Sequence, residues 1–210
     1  MKRHLIIIVL AVFAPLFASA QQGGRSVSLI PHVGGGYGGF VEGRSDMRPE
    51  YYAGSLGADV RFGLSSNWSL LVGLDYQLRF NKSTYTLHSP NYNMTGFTTA
   101  YYTGHYFRLP VCAEYNHKWF YLVTGPYLEK GFGDIPVKFD LGTVGVDLEV
   151  GGRIPVNRND HLRIGLLTSY GFSFVNQPIY SSDGELLARL LRMDNMEICW
   201  QLRVGYEHRF

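Results

Sequence analysis

Two cysteines in 210 residues are too few for a disulfide scaffold. Neither Cys112 nor Cys199 lies near the amino terminus, so lipoprotein processing is not indicated. Long apolar runs are scarce too. Beyond residue 20 a long uncharged stretch, Gly165 to Ser182, contains Ser, Asn, Gln and Pro and alternates in polarity, which reads as a strand entering a loop and not as a membrane helix. An excess of one charge is also missing. The 19 Lys and Arg face 17 Asp and Glu, and Lys2 and Arg3 belong to the leader, so the remaining chain is balanced at 17 of each. Nucleic-acid binding would need a clustered basic excess and is not expected. The seven histidines, at 4, 32, 88, 105, 117, 161 and 208, show no metal-ligand spacing, and no metal or other cofactor is expected.

What is present begins with a leader. Lys2, Arg3 and His4 precede an apolar run from Leu5 to Phe17 and the small residues Ala18-Ser19-Ala20, the pattern of a cleaved signal peptide over residues 1–20. A short periplasmic tail, 21–27, and a single domain, 28–210, are expected to follow. The 25 glycines, 15 tyrosines and 13 phenylalanines favour strands with close backbone approaches.

Period-two alternation dominates that domain. From Met196 onward, Met196, Ile198, Trp200, Leu202, Val204, Tyr206 and Phe210 share one parity, while Glu197, Cys199, Gln201, Arg203 and Glu207 share the other. Trp68 to Phe80 repeats the design almost strictly. Further strands are expected at about Ser28 to Phe40, Tyr52 to Leu64, Gly104 to Tyr115, Trp119 to Phe132, Lys138 to Ile154 and His161 to Phe174. The connections Ser65 to Asn67, Asn116 to Lys118 and Pro155 to Asp160 are short; those at 81–103 and 175–195 are long. Short turns on one end and long loops on the other predict an all-β fold, an eight-stranded antiparallel up-and-down transmembrane β-barrel of an outer membrane. Eight strands tilted near 40° enclose only about 16 Å between backbones, a space that side chains fill.

The polar parity defines the expected lumen: Asp59, Arg61, Asp75, Arg79, Arg108, Glu114, Glu129, Asp147, Glu149, Arg153, Arg163, Glu197, Arg203 and Glu207. These charges are sparse and mixed in sign, as a confined network of ion pairs requires. Cys112 and Cys199 share that parity but fall on opposite walls, so two free thiols are expected. In the last loop, Asp183 to Arg192 places Leu186, Leu187, Leu190 and Leu191 on one helical stripe, predicting a short helix there. A hydrolytic site would need His88, Ser89, His105 or Glu129 to converge; nothing in their spacing brings them together, and no catalytic residue is assigned.

Tyr106-Phe107-Arg108-Leu109-Pro110 and Phe120-Tyr121-Leu122-Val123-Thr124-Gly125-Pro126-Tyr127 resemble the PorT-type, porin-family outer-membrane β-barrels of Gram-negative bacteria, as do Asp140-Leu141-Gly142, Ser169-Tyr170-Gly171 and the terminal Arg-Phe. The resemblance implies an integral outer-membrane location and, through the family's named member, a role in type IX secretion. It also implies that Phe210, with Trp200 and Tyr206 on the same face, forms the signal read by the barrel-assembly machinery. A non-enzymatic structural or interaction protein is the first expectation, contacting outer-membrane lipid and envelope partners through 81–103 and 175–195. A component of an export apparatus is the second, and a small barrel enzyme acting on lipid the third.

Overall fold

The computed structural model describes residues 26–42, 50–88, 95–132, 142–180 and 186–210. The expected leader and most of the tail lie outside them. Eight strands follow in order: β1 (Val27–Glu42), β2 (Glu50–Gly63), β3 (Trp68–His88), β4 (Thr95–His117), β5 (Phe120–Phe132), β6 (Thr143–Pro155), β7 (Asp160–Tyr180) and β8 (Leu186–Arg209). Each pairs antiparallel with the next, and β8 pairs with β1 to close the barrel. The strand begins at Val27, one residue before the expected start of the domain.

Closure fixes the dimensions. Following the register from Lys130 through Phe107, Tyr76, Leu56, Val33, Val204, Ile164 and Gly152 returns to β5 at Phe120, ten residues from the start. An eight-stranded barrel staggered by ten residues has a tilt of about 40° and a diameter near 16 Å, which side chains can fill.

The walls extend further than the alternation alone predicts. The segments expected as loops at 81–103 and 175–195 are in large part paired strand. β3 pairs with β4 as far as His88↔Thr95, and β7 pairs with β8 as far as Tyr180↔Leu186. This also corrects the expected helix: Leu186 to Arg192 belongs to β8, opposite Tyr180 to Val175, while Asp183 to Glu185 lie outside the described residues. A helix of fewer than about 12 residues is marginal on its own, whereas a strand already paired gains hydrogen bonds by continuing. These two hairpins rise from opposite walls, at the end away from both termini.

Glycine on β1 serves close approach. A side chain at Gly36 would collide with the Trp200 carbonyl of β8, at 1.8 Å from the added carbon, whereas one at Gly54 meets nothing within 4 Å. Gly36→Val is therefore expected to disrupt the β1–β8 seam, costing on the order of 1–3 kcal/mol or abolishing folding. Gly54→Ala should be tolerated. Heat-modifiable electrophoretic migration and urea unfolding of both variants check this; equal behaviour of the two would contradict it.

Candidate functional site: the lumen network

The alternation of β-strand side chains sends one parity of every strand inward. All fourteen charged residues singled out from the sequence project into the lumen, and thirteen of them are buried; Arg153, near the turn end, is partly exposed. They meet in three tiers.

At the turn end, Glu207 accepts Arg61 Nη1 at 2.7 Å and Arg153 Nε and Nη2 at 2.9 Å each. Glu114 pairs with Arg61 at 2.8 Å and Arg163 at 2.7 Å. Three guanidiniums thus share two carboxylates. In the middle tier, Arg203 reaches Glu149 at 2.9 Å, Asp59 at 3.5 Å and Asp75 at 3.7 Å. Arg108 pairs with Asp147, and Ser169 bridges the pair by donating to Asp147 at 2.9 Å. Nearest the hairpin end, Arg79 lies between Glu129 at 2.7 Å and Glu197 at 3.1 Å, and Tyr51 donates to Glu197.

Burying so many charges is favourable only when each has a partner. Here the partners come from non-adjacent strands: Arg61 of β2 and Glu207 of β8 meet across β1, and Arg79 of β3 and Glu197 of β8 lie three strands apart around the ring. The network therefore ties together strands that share no backbone hydrogen bonds.

Residues without charge complete the lumen; Gln201 lies on the parity expected for it, whereas the part played by the tyrosines is not among the expectations. The Arg79 guanidinium lies 4.1 Å from the Tyr106 ring centroid, Arg108 3.6 Å from Tyr127 and Arg163 3.9 Å from Tyr121. Such contacts stabilise a desolvated cation. Glycines make room for these rings: a carbon added at Gly145 would lie 2.4 Å from Tyr127, and one at Gly151 2.5 Å from Tyr121. Gln77 accepts from Arg79, and Gln201 accepts from Ser55; both are buried. Extending the parity from the charged residues to every residue type on each strand finds all of these.

His32 was also missed. Its Nε2 lies 2.7 Å from Asp75 and its Nδ1 3.5 Å from Asp59, and the three residues are all buried. A His and two Asp within 4.8 Å of one another are metal-ligand types. Arg203, however, already places its guanidinium against all three. The position a cation would take is filled by the protein's own charge.

Beside this cluster Ile30, Leu71, Cys112, Tyr121 and Val123 form an apolar layer. A cavity of about 20 Å³ separates the two, room for roughly one water. Cys112 and Cys199 are free and buried. His105 faces outward on β4 while Glu129 faces the lumen on β5, so this pair of candidate acid–base groups sits on opposite sides of the wall. His88 ends β3, and Ser89 lies outside the described residues.

Two features, a closed eight-stranded wall and a lumen packed with ion pairs, define a small β-barrel of the outer-membrane type. Among solved structures the chain is similar to the outer membrane protein OprG from Pseudomonas aeruginosa, with 9% identity and a TM-score of 0.52, covering 88% of this chain and 96% of that one. It also aligns with the outer membrane protein AlkL, at 10% identity and a TM-score of 0.46, over 89% of this chain and 90% of that one, a likeness too loose to carry an argument. At these identities the comparison bears on fold alone. No protein-family model and no curated sequence matches the chain, so the PorT-type resemblance rests on its motifs.

Removing Arg203 would leave Asp59, Asp75 and Glu149 without their shared counter-charge. Arg203→Met is expected to destabilise the barrel by on the order of 3–5 kcal/mol. Urea unfolding in lipid vesicles checks this against Arg209→Met, an exposed control. A loss below about 1 kcal/mol for Arg203→Met would mean that the network does not hold the walls.

Proposed function

We propose that this protein is an integral outer-membrane β-barrel with a structural or interaction role, not an enzyme. The observation that carries the membrane reading is its inverted surface. Leu56, Leu74, Leu109, Val146, Leu166 and Leu202 project outward and are exposed, while the charges are inside. Water would penalise that arrangement and hydrocarbon favours it. Aromatic residues flank the apolar band. Trp68, Trp119, Tyr206 and Phe210 lie toward the turn end, and Tyr37, Tyr52, Phe80 and Phe107 toward the hairpin end. The two girdles are separated by roughly ten residues of tilted strand, about 25 Å, the height of an outer-membrane apolar belt.

A filled lumen argues against solute passage, so the parts available for recognition are the β3–β4 and β7–β8 hairpins. They contain most of 81–103 and 175–195 and would meet envelope partners beyond the membrane. A leader over residues 1–20 would export the chain. Trp200, Tyr206 and Phe210, all outward-facing, would serve the barrel-assembly machinery as its recognition signal. A role in an export apparatus, as the PorT-type resemblance implies, would require stoichiometric partners in crosslinked native membranes. A lipid-modifying activity would change the lipid profile of a deletion strain.

The pure monomer in planar bilayers is expected to give no large, stable channels; such channels would contradict a filled lumen. Deleting Phe210 is expected to lower the yield of membrane-inserted, heat-modifiable protein in cells. Unchanged insertion of that truncation would remove its role as an assembly signal.

A further inference from the structure

Four rings pack together on the outer surface of β3, β4 and β5, inside the aromatic girdle at the hairpin end. Phe107 and Phe132 stack with centroids 5.0 Å apart, His105 stacks on Phe132 at 5.7 Å, and Tyr76 leans on Phe107 at 5.8 Å. Aromatic residues alone would be ordinary girdle. The imidazole among them is different, because its orientation is fixed: Tyr76 Oη and His105 Nδ1 are 2.6 Å apart. A phenol is the stronger donor of this pair, so Tyr76 donates to Nδ1 and the ring proton sits on Nε2. A polar N–H donor is thereby held on a surface whose other members are apolar.

A cation stands beside it. Lys130 of β5 is exposed, faces outward, and is the register partner of Phe107, while His105 is the register partner of Phe132. Lys130 and His105 are therefore diagonal neighbours across one strand pair, about 7–8 Å apart at Cα. Among the described side chains, Lys130 is the only Lys or Arg on the outward face of this girdle. A flexible ammonium and a fixed imidazole N–H at that spacing can grip one tetrahedral anion between them, and the stacked rings below offer a flat apolar surface to a chain.

We propose that this patch binds a phosphate-bearing membrane lipid: Lys130 and His105 hold the headgroup phosphate, Tyr76 sets the imidazole tautomer, and Phe107 and Phe132 carry an acyl chain. The assignment rests on the membrane reading above, which places this girdle at headgroup depth where lipid phosphates lie.

The test uses the full mature barrel in detergent and native mass spectrometry to count bound lipid. Dimyristoyl phosphatidylglycerol is the probe, a galactosyl diacylglycerol without phosphate is the neutral comparison, and inorganic phosphate is the competitor. One retained phosphatidylglycerol per barrel is expected, with weaker retention of the galactolipid and no displacement by millimolar inorganic phosphate. Lys130→Gln should weaken retention about fivefold, as the loss of one interfacial cation implies, and His105→Phe should weaken it as well. Lys118→Gln, at the turn end, should not. Equal retention by the wild type and Lys130→Gln, equal retention of the two lipids, or displacement by inorganic phosphate would overturn the proposal. Heat-modifiable migration and insertion into phosphatidylcholine vesicles are read on the same samples. Failure there would count against the membrane reading, whereas normal insertion with no lipid selectivity would count against this site alone.

Discussion

The rest of the structure depends on one constraint: the charges inside a closed barrel must find partners across its width. Backbone hydrogen bonding closes the wall, but a wall about 16 Å across still leaves an interior that must be filled. Apolar side chains could fill it in a soluble barrel. Here most of the apolar parity faces outward, so the interior is left largely to the polar parity, and its charges must find their counter-charges there. Each tier solves this locally. Two glutamates hold three arginines at the turn end, Arg203 and Arg108 serve four carboxylates together with His32 in the middle, and Arg79 spans two glutamates near the hairpins.

Packing follows from the same constraint. An arginine paired at its tip still has a broad planar face to cover, and Tyr106, Tyr121 and Tyr127 cover it. The tyrosines in turn need space, which Gly104 provides on the same strand as Tyr106 and Gly145 and Gly151 provide on the strand beside Tyr127 and Tyr121. Charge, ring and glycine form a repeated unit of the interior. A plug of this construction leaves room for about a single water beside the central cluster.

Much of this was legible in the sequence, because β-strands have a period of exactly two side chains per repeat of the pleat. Once Trp68 to Phe80 and Met196 to Phe210 were phased, the fourteen lumen charges followed by parity. Pairing among those charges was not legible. Which arginine meets which carboxylate depends on a stagger of ten residues around the barrel, and that stagger is a property of all eight registers together. His32 was hidden in a glycine-rich strand with no charged neighbours to mark its face. Leu186 to Arg192 misled for another reason: four leucines at helical spacing fit a helix locally, but the strand opposite, Val175 to Tyr180, offers a continuous ladder. The close backbone approaches that the glycine content favours include Gly36 of β1 against Trp200.

The barrel wears its apolar parity outside and its charges inside, and a spin-label scan along β8 tests this most directly. Single nitroxides would be placed at each position from Trp200 to Glu207 in a background with Cys112 and Cys199 replaced, and the barrel reconstituted in lipid vesicles. Collision with oxygen, which concentrates in hydrocarbon, should peak at 200, 202, 204 and 206 and fall at 201, 203, 205 and 207. Peaks on the opposite parity, or no alternation at all, would contradict the account.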